Sequence, residues 1–248
     1  MPDEIENLVI DLQDTDRART QLLQELAHDL RTPIASLKSL LETLDSKRTK
    51  LDEATQSEIT TLALKEVDYF ARLVEDLLFL AQIKGPTFSK NSSFVNVVDL
   101  LLDEADDSIV RSRNQGKVVT IRHELEQREF ALRCDPYLIR RLLRNALENA
   151  FSFAKSEVTL KIESADKTSI RIAIQDDGGG FSEEALNAFG TRRATRKFEN
   201  HQSGRLSVGL GSVVMKTICE AHQGKIEVSN IASQGTVTGA NVEIILSL

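Results

Sequence analysis

From Ile5 to Leu44 the apolar positions follow one frame, spaced alternately three and four residues apart. Ile5, Val9, Leu12, Leu23, Leu26, Leu30, Pro33, Leu37, Leu40 and Leu44 occupy it, with polar interruptions only at Asp16 and Arg19. Such spacing marks the a and d positions of a heptad, the buried stripe of a long amphipathic helix. After a break at DSKRTKLDEA, a second helix is predicted from about Ala54 to Ile83, its seam including Ile59, Ala63, Phe70, Leu73, Leu77 and Leu80. Two such helices form a hairpin. One hairpin leaves apolar surface uncovered, so two copies are expected to pair into a four-helix bundle, a homodimer. The stretch 1–20 continues the frame and reads as a signalling coiled coil leading into the hairpin. Its polar seam positions would let the helices shift between two packings.

The pattern then changes. Period-two alternation appears at 117–125, 158–164, 169–176, 225–230 and 240–246, which are predicted strands. Helical periodicity falls between them, in NVVDLLLDEADDSIVRSRN, DPYLIRRLLRNALENAFSFA and SVVMKTICEAH. This order implies an α/β sandwich, one mixed sheet covered by helices on one face. All twelve glycines lie at or after Gly85, whereas Pro33 alone interrupts the helical pattern before it. The shift divides the chain into a signalling helix (1–20), a helical dimerisation domain (21–83), a linker (84–92) and an α/β domain (93–248).

Composition narrows the possibilities. With 41% hydrophobic and 28% charged residues among 248, each part can bury a core. A formal charge of −7 argues against nucleic acid as a partner. Cys134 and Cys219 have no ligand-like neighbours and read as small apolar residues of a reducing compartment. No window approaches the roughly 18–20 apolar residues that span a bilayer, and the acidic N-terminus is unlike a signal peptide. The chain reads as cytoplasmic, either by itself or as the cytoplasmic part of a membrane-anchored receptor.

The heptad frame puts His28 at position f, furthest from the seam and reachable from solvent. Asp29 is adjacent and could accept a hydrogen bond from the imidazole, leaving the other nitrogen as nucleophile. Pro33 removes a backbone donor and predicts a bend just after His28. From the heptad alone, an ordinary surface histidine and a tolerated kink remain open. The run HDLRTP (28–33) resembles the phosphoacceptor box of sensor histidine kinases. That resemblance implies that His28 takes the phosphoryl group, that Asp29 is the general base, and that Thr32 positions water for dephosphorylating a partner.

Four further stretches bear on a nucleotide. In LLRNALENAFSFA (142–154), Asn145 and Asn149 are four apart and share a helix face. An amide oxygen can ligate Mg²⁺ and an amide N–H can meet phosphate, although two helical asparagines are by themselves weak evidence. The stretch is similar to the N box of the ATP-binding domain shared by histidine kinases, gyrase, Hsp90 and MutL. It implies Asn149 as the Mg²⁺ ligand with Asn145 beside the phosphates. Ser152 stands where a lysine is common, and Lys155 could replace it only if the helix end allows. IQDDGGGFSEEAL (174–186) is either a strand-ending turn or, as it resembles, the D-x-G-x-G element. In that element Asp176 would accept from the adenine amino group, with Gly178 and Gly180 framing the base. Asp177 takes a place usually held by asparagine, and Phe181 that of an aliphatic residue. SVGLGSVVMKTICEAHQGKIEVSN (207–230) resembles the G-x-G run that precedes a helix, so the N–H groups near Gly209 and Gly211 would meet phosphate. Ser207 replaces a frequent glycine there. Between these motifs, FGTRRATRKFENHQSGR (189–205) reads as a solvated loop or as a mobile ATP lid whose cations Arg192, Arg193, Arg196, Lys197 and Arg205 meet the triphosphate.

Together the motifs are similar in order and spacing to a histidine kinase catalytic core over roughly 18–246. The resemblance implies a dimeric helical bundle followed by a Bergerat-type ATP-binding domain. It implies ATP with Mg²⁺ as cofactors, autophosphorylation of His28 and transfer to the aspartate of a response-regulator receiver domain. Phosphatase activity toward that regulator would accompany it. A phosphatase-biased scaffold, supported by Ser152 and Ser207, is the alternative. A gyrase- or Hsp90-like ATPase would need no phosphoacceptor helix. Whether transfer occurs within or across the dimer depends on the 45–54 connection, which the sequence leaves open.

Overall fold

A computed structural model describes residues 30–46, 51–83, 85, 88–114, 118–126, 129–164, 168–191, 196–197, 206–207 and 210–247. The chain divides into two compact units, with the division between Leu78 and Phe79. His28, Asp29, Gly209 and the arginines Arg192, Arg193 and Arg205 lie outside the described residues.

The first unit holds helix α1 (30–46) and most of α2 (Glu53–Ile83). Asp52 starts α2 by accepting a hydrogen bond from the Thr55 N–H at 2.8 Å, which satisfies a donor that the first turn would leave bare. The predicted seam is buried or half-buried along α2: Ile59, Ala63, Phe70, Leu73 and Leu77 all face inward. Pro33 is buried on α1, and the helix runs through it from residue 30. Glu66 also occupies a seam position and is only 8% exposed; it accepts from the Ser36 hydroxyl at 3.3 Å. A second apolar stripe stays exposed, made by Ile34 and Leu41 on α1 and by Leu64, Val67 and Leu78 on α2.

The second unit is the α/β sandwich. Its elements run β1 (Ser93–Asn96), α3 (Val97–Asn114), β2 (Thr120–Leu125), β3 (Ala131–Cys134), α4 (Pro136–Phe153), β4 (Glu157–Ser164) and β5 (Ser169–Asp176). Then come α5 (Glu183–Ala188), β6 (Arg196–Lys197), β7 (Leu206–Ser207), α6 (Leu210–Ala221), β8 (Lys225–Ser233) and β9 (Thr236–Ser247). Five strands form the main sheet in the order β2-β4-β5-β9-β8, parallel between β2 and β4 and antiparallel elsewhere. Helices α3, α4 and α6 pack side by side, with α4 against β5 and α6 against β8. Alternation does the sorting: along β4, Val158, Leu160 and Ile162 are buried beneath the helices with Ile172 and Ile174 of β5. The opposite face carries ion pairs such as Lys161–Glu124 and Arg171–Glu243. Two short strands, β1 and β3, pair antiparallel outside the main sheet and had no signature in the alternation pattern. No helix among the described residues is long and apolar enough to cross a membrane.

Candidate functional site

Helix α4 is the spine of the site. Its start is fixed by Asp135, whose carboxylate accepts from the N–H groups of Tyr137 and Leu138 at 3.1 and 3.3 Å, with Pro136 in the first turn where no donor is needed. The other Asp135 oxygen accepts from the Asn91 N–H at 2.8 Å, and the Asp135 N–H itself donates to His222 Nε2 at 3.1 Å. His222 Nδ1 in turn lies 2.9 Å from the Ile218 carbonyl, so Nδ1 carries the proton and the ring is neutral. Burial is the main reason that its pKa is held below the ordinary 6.5. The end of α6 is thereby tied to the beginning of α4.

Further along α4, Asn145 and Asn149 emerge on one side, both half-buried. The Asn145 amide donates to the Arg141 carbonyl at 2.8 Å, which orients its oxygen toward the first turn of α6. A Cβ on Gly211 would lie 3.0 Å from that oxygen, so the absence of a side chain there lets α6 approach. Asn149, one turn further on, makes no side-chain hydrogen bond to another of the described residues. Ser152 is turned back on its own helix, donating to the Glu148 carbonyl at 2.6 Å. The helix ends at Phe153, with Ala154 as its C-cap, so Lys155 lies beyond the helix and not on the Asn149 face.

The end of β5 meets the end of α4. Asp176 is 5% exposed, and its Oδ1 accepts from the Gly178 N–H at 2.9 Å. A Cβ on Gly178 would come within 2.4 Å of the Phe153 carbonyl oxygen, so only glycine lets the loop cross the helix end. Gly180 has φ +77°, the left-handed region that glycine enters without strain. Asp177 points the other way. Its carboxylate accepts from the N–H groups of Lys155 and Ser156 at 2.7 and 3.0 Å and from the Ser156 hydroxyl. Burial would raise the Asp177 pKa, but these donors outweigh it and hold the carboxyl below its ordinary value.

Of the residues singled out in the sequence, Asn145 and Asn149 lie on α4 with Gly211 against Asn145, Gly178 crosses the end of α4 beside Asp176, and Gly180 lies against Val237 and Asn230 of the sheet, while Thr32 lies exposed on α1 in the other unit. Sequence reasoning missed three supports. Asn230 on β8 accepts from the Phe181 N–H and donates to the Phe181 carbonyl, clamping the loop after the glycines. Gly239 on β9 passes against the Asp176 carbonyl, where a Cβ would sit at an impossible 1.9 Å. Asp135 could have been found from its place before Pro136, a capping signal.

A helical unit followed by an α/β sandwich is the architecture that the structure shows, and both parts match known families. Residues 18–86 match the family model described as His Kinase A (phospho-acceptor) domain, and residues 134–247 match Histidine kinase-, DNA gyrase B-, and HSP90-like ATPase. The chain thus carries the two domains, phosphoacceptor and ATP-binding, of a histidine kinase catalytic core. It is 29% identical over 228 residues to the sensor protein KdpD of Clostridium acetobutylicum, covering 92% of this chain and 25% of that protein. It is 26% identical over 223 residues to the sensor histidine kinase YvrG of Bacillus subtilis, covering 88% and 37%. The chain therefore spans between a quarter and about two fifths of these relatives. The histidine kinase AdeS of Acinetobacter baumannii has the same fold, with TM-score 0.64 and 22% identity over 89% of this chain and 97% of that one. Full-length ShkA, solved in complex with AMPPNP, superimposes with TM-score 0.60 and 22% identity, covering 90% and 45%.

Proposed function

We propose that the protein is the catalytic core of a two-component sensor kinase, which transfers the γ-phosphoryl group of ATP to His28 and then to an aspartate of a receiver domain. The observation that carries this reading is the gathering of Asn145, Asn149 and Gly211 along α4 with Asp176 and Gly178 at its end. Asp176 is buried and can accept from an adenine amino group; Gly178 leaves a flat face for the base. Asn145 and the start of α6 offer polar groups to the phosphates. Asn149 suits Mg²⁺, because a hard cation takes oxygen donors and needs few from the protein when phosphates and water complete its shell. Bound there, Mg²⁺ would neutralise charge on the transferring group.

In the helical unit, Asp29 would draw the proton from His28 and keep its attacking nitrogen neutral. Thr32 would orient water in the reverse, dephosphorylating direction. The exposed stripe of Ile34, Leu41, Leu64, Val67 and Leu78 supports pairing with a second copy, since a helix face this apolar is unstable in water. The arginines and lysine of 189–205 would serve as a lid over the triphosphate. No membrane-spanning or nucleic-acid-binding role is assigned to this chain.

The test is incubation of the full chain with γ-labelled ATP and Mg²⁺, followed by addition of a receiver domain. Acid-labile label that is lost in His28→Ala and strongly reduced in Asn149→Ala is expected. Unlabelled wild-type protein that still dephosphorylates a phosphorylated receiver would establish the scaffold instead.

A further inference from the structure

Asp176 and Asp177 are neighbours on one strand end, and their side chains leave in opposite directions, as the pleat requires. Asp176 turns into the site. Asp177 turns to the connection between α4 and β4 and there takes up three kinds of donor: the Lys155 N–H, the Ser156 N–H and the Ser156 hydroxyl. Its own N–H donates to the Glu157 carbonyl at 3.3 Å. The two N–H donors are the first backbone groups beyond Ala154, the C-cap of α4. The fastening has a second part next door, where Gly178 crosses the Phe153 carbonyl too closely for any side chain. Asn149 stands one turn before Phe153 on the same helix. The end of α4 is therefore bolted to the strand end that carries Asp176.

We infer that Asp177 is a positioning residue that fixes the Asn149 end of α4 relative to the Asp176 carboxylate, setting the span between the phosphate-side and adenine-side groups. The inference rests on the ATP reading above. A carboxylate suits the task better than an amide, because both of its oxygens accept. An asparagine there could offer one oxygen to the Lys155 and Ser156 N–H groups, with its NH₂ left facing the Ser156 region. Asp177 touches neither nucleotide nor metal in this scheme; it acts through the helix.

A nucleotide that reaches from Asp176 to Asn149 senses that span, whereas adenosine, bound by the β5 loop alone, does not. Titration of the full chain with Mg²⁺-ATP and separately with adenosine distinguishes the two. In Asp177→Ala the dissociation constant for Mg²⁺-ATP should rise by roughly tenfold or more, the scale on which small misplacements act. Adenosine affinity should stay within about twofold on the same argument. Asp177→Asn should fall between wild type and Asp177→Ala for Mg²⁺-ATP, and it supplies the same comparison if the alanine variant does not fold. Unchanged Mg²⁺-ATP affinity in both variants would overturn the inference. So would an equal loss for both ligands with a matching drop in melting temperature, the signature of a merely structural residue. Failure of the wild type to bind Mg²⁺-ATP would instead remove the ATP reading itself.

Discussion

Asn230 holds Phe181 by both of its backbone groups, accepting from the N–H at 2.6 Å and donating to the carbonyl at 2.8 Å. The pair works like one rung of a sheet ladder, but its partner is an amide side chain on β8 rather than a strand. It fixes the chain immediately after Gly180, whose left-handed backbone turns the glycine loop back toward the sheet. The loop that would frame a bound base is thus anchored from the far edge of the sheet.

Asn230→Ala removes both bonds and leaves a half-buried N–H and C=O to find water. A stability loss of about 2 kcal/mol is expected, from two net hydrogen bonds of about 1 kcal/mol each. Hydrogen exchange of the β5 amides measures it. Asn230→Asp keeps the acceptor but sets a carboxylate against the Phe181 carbonyl, so it should be no better than alanine. A variant pair in which aspartate restores stability would show that the donor half does not matter.

Gly239 leaves less room for a side chain than any other described glycine. Its β9 backbone lies against Asp176, and an added Cβ would stand 1.9 Å from the Asp176 carbonyl oxygen, a backbone atom that cannot swing away. Gly239→Ala should therefore part β9 from β5 at the site itself, at a cost of about 2–3 kcal/mol for overpacking. ATP affinity should fall with it, because Asp176 moves. Gly235, whose added Cβ would meet nothing within 4 Å but whose φ is +80°, provides the control: alanine there strains a turn without touching Asp176. Thermal melts and ATP titrations on the two variants separate the effects, and equal losses of ATP affinity would count against the proposed contact.

The heptad and the alternating strands were legible because each is a repeated local pattern, sampled many times along the chain. The candidate site residues were singled out for a different reason: Asn145, Asn149, Asp176 and the glycines sit in short runs that resemble a known core. What the sequence concealed was long-range. Asn230 closes on a residue 49 positions away, Asp135 meets His222 across 87, and no local pattern announces either. Strands β1 and β3 are four residues each, too short for alternation to stand out from chance. Glu66 was passed over because a charged residue at a seam position breaks the apolar rule, and its partner, the Ser36 hydroxyl, lies 30 positions away across the hairpin. Asp177 looked like a mild departure from a motif, and its role became visible only once the turn at 154–156 folded beneath it.

His222 predicts a pH dependence with a definite sign. Burial lowers its pKa in the folded protein from 6.5; the Ile218 carbonyl and Asp135 pull the other way and Lys90 adds to the lowering. The unfolded chain therefore binds the proton more readily than the folded one. The contribution of neutral His222 is complete above about pH 6.5 and is lost as pH falls from there toward the folded value. Protonation would also place an N–H on Nε2 against the Asp135 N–H, where the unprotonated nitrogen now accepts. Asp177 acts in a separate, more acidic window, since its folded pKa is lowered from 3.8 and its contribution is lost only below that. Urea midpoints measured between pH 8 and pH 5 should fall for the wild type. In His222→Gln they should be lower at pH 8 but flatter, and a wild-type midpoint that holds steady to pH 5 would contradict the assignment.

The ion pairs between α3 and α4 should be unequal in their two halves. Glu104 is 1% exposed and is gripped by Arg144 through Nε and Nη2, each at 3.1 Å, with Arg140 at 3.5 Å. The Arg144 side chain is itself 49% exposed and that of Arg140 38%. Removing Arg144 strands a buried carboxylate with one long contact, whereas removing Glu104 returns two arginines to water that they already touch. Arg144→Ala is thus expected to cost about 3 kcal/mol, the lower end of the range for breaking a buried pair. Glu104→Leu should cost about 1 kcal/mol or less, since an apolar side chain of similar size replaces the desolvated charge. Hydrogen exchange of the β4 and β5 core amides reports both values. Equal costs would mean that the carboxylate is hydrated in solution and that its burial does not set the energetics of this helix pair. Because Arg144 immediately precedes Asn145, the ATP affinity of Arg144→Ala should be compared with that of Glu104→Leu. A loss confined to the arginine variant would indicate that the pair also holds α4 in rotation, keeping the Asn145 and Asn149 face toward the start of α6.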